Sequence, residues 1–154
     1  MLTFKEFAKV VRNAELRVDP TLRGLASGIA ESGRDMAKGF IGQERPEWKP
    51  LAARTVKEKI EEGFGGQVSA TDPLLRTVDL RRSIEGAVVL TSFGVAAVIG
   101  SKSSVARDQE LGTATIPPRP FLALAMATLE PEAVKSMAKA AGAIFDPSLW
   151  ERSE

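Results

Sequence analysis

The chain has 154 residues, of which 44% are hydrophobic and 27% are charged, and its formal net charge at pH 7 is +1. This length and composition are those of one globular domain, and the small net charge gives no global basic field for nucleic acid. The chain contains no cysteine, histidine or tyrosine, which excludes disulfides, the usual zinc sites and the commonest general base. We therefore expect a single domain over residues 1–154 that is not an enzyme and binds no cofactor or metal.

The start of the chain does not match a secretory signal. Lys5 and Glu6 stand where a signal peptide needs an apolar run. Every apolar run is also far shorter than the roughly twenty residues that span a bilayer. We expect a protein that is intracellular when made and has no membrane partner.

The first forty residues are predicted to form two helices. Thr3 and Glu6 form a capping box that opens a short first helix, and Asp19-Pro20 is a second start signal. The second helix carries a long apolar stripe: Leu22, Leu25, Ala26, Ile29, Met36, Ala37 and Phe40. Three glycines interrupt this helix and indicate close packing against a neighbouring element: Gly24, Gly28 and Gly33.

A loop over residues 42–50, the tryptophan loop, carries Trp48 between two prolines. An aromatic side chain in such a place is either a plug of the core or an exposed contact for a partner. The sequence leaves both alternatives open. Trp48 is therefore a candidate interface residue.

Residues 51–62 are predicted to form the next helix, with Val56 and Ile60 facing inward and Lys59 facing outward. Gly63 is the expected C-terminal cap of this helix. The glycine-rich, polar residues 63–72 are predicted to be a mobile loop that changes on assembly.

A β-hairpin is the clearest signal in the chain. Residues 84–91 and 95–99 alternate in polarity and flank a short turn, and a short helical piece precedes them. The predicted fold is therefore α+β, an antiparallel sheet built on this hairpin with helices packed on one face. Arg81 and Glu85 are candidate interface residues because unpaired sheet edges invite pairing.

Residues 115–120, the proline segment, hold three prolines and are predicted to be stiff and extended. We expect Phe121 to anchor the fold and Arg119 to make an orienting contact at or near a subunit seam. A surface ion pair is the alternative for Arg119. Before this segment, a short helix over residues 105–111 is expected to stop at Gly112, and its exposed end explains Glu110 better than acid–base chemistry does.

The C-terminal part is predicted to be helical. Residues 121–129 are compatible with helix or strand, and Pro131 is expected to open the last helix. One face of that helix is apolar: Val134, Met137, Ala138, Ala141, Ile144 and Phe145. Residues 146–154 form a short tail.

The order of these motifs resembles the virion-morphogenesis (tail-completion) family of Mu-like phages. The strings Trp48-Lys49-Pro50-Leu51, Gln109-Glu110-Leu111-Gly112 and Arg119-Pro120-Phe121-Leu122 carry the resemblance, with residues 74–84 and 98–100 between them. The last two strings are also similar to the head–tail joining proteins of long-tailed phages. Val78, Asp108 and Leu111 differ from the residues that these families usually have there.

The resemblance implies a structural virion protein of the phage neck. Such a subunit would form a ring, a hexamer or dodecamer of copies of itself, at the head-proximal end of the tail. Its other partners would be tail-tube or head-connector proteins, with DNA passing nearby but not specifically bound. Two alternatives remain: a DNA-contacting module that uses Arg76, Arg81 and Arg82, and a small hydrolase that uses carboxylates.

Overall fold

The computed structural model describes residues 4–63, 71–74, 78–92 and 94–144. Its elements in chain order are α1 (Phe4–Phe40), α2 (Ala53–Glu61), α3 (Asp79–Arg82), β1 (Ile84–Thr91), β2 (Gly94–Ser101), α4 (Ser104–Leu111) and α5 (Leu122–Ile144). This is the α+β fold that the sequence predicted. No helix in the described ranges is both long enough and apolar enough to cross a bilayer.

The two strands pair in antiparallel fashion, with Ile84 opposite Ser101 and Thr91 opposite Gly94. The hairpin therefore begins and turns where the alternation of side chains predicted. Its inner face packs on α1, and the two backbones come close together at Gly86, where an added Cβ would lie 2.5 Å from the carbonyl oxygen of Ala30. Only glycine allows the helix backbone and the strand backbone to come this close.

Helix α1 is one continuous helix, so the prediction of two helices is wrong. Pro20 lies inside α1, and Pro131 lies inside α5 rather than opening it. An internal proline costs a helix about 3 kcal/mol or more because a backbone hydrogen bond is lost. Both prolines are exposed, so water can hydrate the released carbonyl groups, while α1 packs on both α5 and the sheet. Thr3 lies outside the described residues.

The glycines of α1 do not share one role. Gly33 is buried, and an added Cβ would lie 3.2 Å from Ile99 of β2 and 3.4 Å from the sulfur of Met126 of α5. The expected close packing is therefore confirmed at this position. It is wrong at Gly24 and Gly28, where a Cβ would meet nothing within 4 Å.

The core lies where the C-terminal end of α1, the tryptophan loop, α3, the base of the hairpin, α4 and the start of α5 meet. Its buried members come from all six of these parts of the chain: Ala37, Ile41, Trp48, Leu80, Ile84, Ala106, Phe121 and Ala125. Most of these contacts join residues far apart in sequence. The core therefore holds the end of the proline segment and the base of the hairpin in fixed positions relative to each other.

The inward face of α2 differs from the prediction. Lys59 is only 3% exposed, whereas Ile60 is 59% exposed. The ammonium group of Lys59 donates a 2.9 Å hydrogen bond to the carbonyl oxygen of Asp72, which compensates part of its desolvation. Gly63 follows α2 with φ +77°, as expected of a C-terminal cap. Most of the predicted mobile loop, residues 64–70, lies outside the described residues.

Candidate functional site

The proline segment is bonded to two other parts of the chain through Arg119. The backbone N–H of Arg119 donates to the carbonyl oxygen of Gln109 in α4 at 2.7 Å. Its guanidinium Nη2 donates to the carbonyl oxygen of Lys49 in the tryptophan loop at 2.9 Å. One residue thus ties α4 and the tryptophan loop to the proline segment.

The Arg119 side chain is buried rather than paired on the surface. It is 4% exposed and forms no ion pair in the part of the chain that the structure describes. The alternative of a surface ion pair is therefore wrong. Burial lowers the pKa of Arg119 because desolvation penalises the charged form. Since the protonated guanidinium is the penalised form, stability rises only at strongly alkaline pH and does not change near neutrality.

Glu110 caps the first turn of α5. One carboxylate oxygen accepts from the backbone N–H groups of Phe121 and Leu122 at 2.8 and 2.9 Å, and the other accepts from that of Ala123 at 2.8 Å. A negative charge at a helix N-terminus is stabilised both by these donors and by the helix dipole. The interpretation of Glu110 as an exposed helix end is thus wrong. The cap comes from a different helix eleven to thirteen residues away, so no local sequence pattern marks it.

The turn that leads into the proline segment is closed by its own hydrogen bonds. The backbone N–H of Thr113 donates to the carbonyl oxygen of Ile116 at 2.8 Å, and the N–H of Ile116 donates to Thr113 Oγ1 at 3.0 Å. Gly112 ends α4 with φ +76°, and an added Cβ would lie 2.9 Å from Pro118. The predicted helix stop at Gly112 is confirmed. The segment is held in place from both ends.

Phe121 and Trp48 both lie in the core. Phe121 is fully buried, as expected of an anchor of the fold, and Trp48 is buried beside it in the same cluster. Of the two alternatives for Trp48, the structure shows the core plug. Within this chain both aromatic rings therefore stabilise the core.

Arg81 and Glu85 have different surroundings. The guanidinium of Arg81 is half-buried and donates a hydrogen bond to the carbonyl oxygen of Ile41, just beyond the end of α1. A substitution at Arg81 therefore perturbs the fold as well as any interface. Glu85 is exposed. In the basic cluster of the DNA alternative, Arg82 is exposed, Arg81 is turned inward, and Arg76 lies outside the described residues.

A cleft of about 410 Å³ with both apolar and polar walls lies beside the proline segment, between α2, α3 and α4. Its walls include Lys59, Asp79, Gln109 and Arg119. Within the described ranges there is no group of three or more acidic side chains that could hold a metal ion. The cleft is thus lined both by Arg119 of the proline segment and by Leu80 of the core.

The hairpin exposes apolar side chains on both faces. Val89 and Val98 lie on the outer face, away from α1, and Val88 and Leu90 lie on the inner face toward the turn. Their exposed fractions are 37% for Val88, 44% for Val89, 59% for Leu90 and 44% for Val98. The whole stretch over residues 86–101 contains no charged residue and no proline. Beyond Glu85 at the start of β1, neither strand therefore carries a charge or a proline of the kind that normally keeps a sheet edge from pairing.

A second apolar surface continues from the inner face of the hairpin. A groove of about 670 Å³ lies between α1, β2 and α5, and its walls include Leu25, Val95 and Met126. Val134 and Met137, from the predicted apolar face of the last helix, also line this groove and are about half exposed. The buried members of α5 are Ala125, Ala133 and Ile144.

No protein-family model, no curated protein and no solved structure matches this chain. The function is therefore argued from the surfaces just described and from the motifs in the sequence.

Proposed function

We propose that this chain is a structural subunit of the neck of a tailed phage. In this proposal copies of the chain form a homo-oligomeric ring that completes the tail or joins it to the head. The subunit performs no chemistry and takes no cofactor. Its partners are further copies of itself and the proteins of the tail tube or the head connector.

The observation that carries the proposal is the stretch over residues 86–101 of the hairpin, which contains no charged residue and exposes apolar side chains. A two-stranded sheet is at best marginally stable in water by itself, and its open backbone edges favour pairing with another chain. Here the valines and the leucine near the turn remain exposed although 27% of the chain is charged. Such a surface suits a subunit that is completed by assembly.

The residues that carry the phage resemblance support the same interpretation. The string Gln109-Glu110-Leu111-Gly112 supplies the acceptors that hold Arg119 and the first turn of α5. Arg119 in turn is bonded to the string that contains Trp48 and Lys49. The three strings around Trp48, Gln109 and Arg119 are therefore bonded to one another, whereas the hairpin keeps exposed apolar side chains.

The direct test is the state of the purified protein. Light scattering after size exclusion should give a mass of several subunits, with a hexamer or dodecamer expected, and negative-stain images should show rings. A monomer at every concentration up to about 1 mM, with no rings, would contradict the proposal. In a phage that encodes the chain, disruption of its gene should leave heads and tails unjoined, and added protein should restore joining.

The DNA alternative predicts a different result from the same preparation. Binding to heparin or duplex DNA that falls steeply as salt increases would indicate several phosphate contacts. The proposed neck subunit should show weak retention without a steep salt dependence. A steep dependence together with a monomeric mass would favour the DNA-contacting module.

A further inference from the structure

We infer that neighbouring copies join edge to edge through their hairpins, with β1 of one copy paired to β2 of the next. This inference rests on the ring of the proposed function and specifies its interface. The pairing is antiparallel and head to tail, so that the hairpins form one sheet that runs from subunit to subunit. Glu85 of one copy lies opposite Lys102 of the next.

The first argument is that both edges of the hairpin are equally unprotected. A symmetric pairing of β1 with β1, or of β2 with β2, would leave the other edge of each copy open. A head-to-tail contact uses two different edges and pairs both of them in every copy once the ring closes. Neither β1 nor β2 carries a charge or a proline after Glu85, so both edges are open to pairing. The closed ring pairs both edges of every copy and leaves none unprotected.

The second argument is charge complementarity at the base of the hairpin. Ile84 pairs with Ser101, so Glu85 and Lys102 both lie at the end of the hairpin opposite the turn. Both side chains are exposed, and neither forms an ion pair within the described ranges. Head-to-tail pairing keeps all hairpins pointing the same way and brings the base of β1 beside the base of the neighbouring β2. Symmetric pairing of two β1 strands would instead place Glu85 near Thr91, where there is no cation.

The third argument comes from the register. If Glu85 is opposite Lys102 of the next copy, a step of four residues along each strand places Val89 opposite Val98. These two valines share the outer face of the hairpin and are the exposed large apolar side chains on it. Directly opposite β-branched residues are favourable cross-strand pairs. One register therefore pairs the two charges and the two valines together.

The absence of native cysteine allows a direct test by disulfide trapping. Val89→Cys and Val98→Cys are made as separate variants, oxidised mildly alone and as an equimolar mixture, and compared with Ala143→Cys, an exposed control on α5. We expect a cross-linked dimer from the mixture, at least fivefold more abundant than from either variant alone or from mixtures with the control. Efficient cross-linking of one variant with itself would overturn the inference in favour of symmetric pairing.

A charge exchange tests the polar pair independently. Glu85→Lys or Lys102→Glu alone should raise the concentration needed for half-assembly roughly two- to fivefold, in line with the usual strength of an exposed ion pair. The double variant should restore the parent value, and Glu132→Lys, on the exposed face of α5, should have no effect. Double-variant assembly no better than that of the single variants would contradict the pairing of Glu85 with Lys102.

The two proposals fail in distinguishable ways. Rings that form without the mixed Val89–Val98 cross-link would refute the edge pairing and leave the neck subunit standing. A parent protein that stays monomeric would refute the ring itself.

Discussion

The proline segment and the hairpin both adjoin the same core but are held in different ways. Around the proline segment, backbone donors and acceptors find partners inside the chain, from Glu110, Gln109 and Lys49. Within the described residues, the hairpin instead has no third strand paired to either edge, and it exposes valine and leucine. The first region is held mainly by hydrogen bonds within the chain, although Arg119 Nε and Gln109 Oε1 are buried without a hydrogen-bond partner in the part of the chain that the structure describes. The second region has the composition of a surface that another chain covers. Substitutions near the proline segment should therefore change the stability of the fold, whereas substitutions on the exposed face of the hairpin should change assembly.

The largest loss of stability is expected at Phe121. Phe121→Ala should lower the free energy of unfolding by about 3–5 kcal/mol, because the ring is fully buried and its removal leaves a cavity. Urea unfolding of the monomer measures the loss. Leu111→Ala, at an exposed position nearby, should change stability by less than about 0.5 kcal/mol. Equal losses for the two variants would contradict the anchor role.

Arg119 comes next. Arg119→Ala should cost about 1.5–3 kcal/mol, the usual range for a hydrogen bond that involves a charged group, because the carbonyl of Lys49 loses its donor. The cost should be the same at pH 6 and pH 9, since the guanidinium is protonated at both. Arg82→Ala, at an exposed position, is the matched control. A loss no larger than that of the control would show that Arg119 is not needed for the fold.

Gly86 tests how closely the hairpin is held to α1. Gly86→Ala should cost about 1–3 kcal/mol, because the new methyl group would overlap the backbone of Ala30 and the two elements would have to separate. Gly100→Ala is the control in the paired strand, where an added Cβ meets nothing within 4 Å. It should be neutral or slightly stabilising. A loss of stability for Gly86→Ala no larger than that for Gly100→Ala would contradict the close contact between the hairpin and α1.

Glu110 should contribute less to stability than Phe121 and Arg119 do. Glu110→Ala removes the acceptor for three backbone donors of α5 and should cost about 0.5–2 kcal/mol, as the loss of a helix cap usually does. Glu132→Ala removes an exposed carboxylate that is paired with Lys135 on the same helix, and should cost less than about 0.5 kcal/mol. Similar thermal unfolding of both variants would contradict the capping role.

These residues also show which parts of the structure the sequence could predict. The hairpin followed from alternation and a short turn, because strand pairing over a tight turn is a local property. The stop of α4 at Gly112 and the cap of α2 at Gly63 followed from the positive φ that glycine permits. Each of these features is decided by neighbours within a few residues.

The errors arise where distant contacts decide the outcome. Pro20 and Pro131 looked like helix starts, but the packing of α1 and α5 outweighs the lost hydrogen bond. The burial of Lys59 is compensated by the carbonyl oxygen of Asp72, thirteen residues away, which accepts a hydrogen bond from its ammonium group. Glu110 caps a helix other than its own. No window of ten residues contains the partners that these side chains meet.

The smallest effect on stability and the largest on assembly are expected at the same position. Val89→Lys places a charge on the outer face of β1, where the parent side chain is already 44% exposed, so the monomer should lose less than about 0.5 kcal/mol. The same charge should block strand pairing, because a lysine on an edge strand must be desolvated beside the apolar neighbour. Light scattering should show a monomer where the parent forms a ring, and urea unfolding should show a nearly unchanged midpoint. Val134→Lys, on the exposed part of α5, is the matched control and should still assemble. If Val89→Lys assembles as well as this control, the hairpin is not the interface.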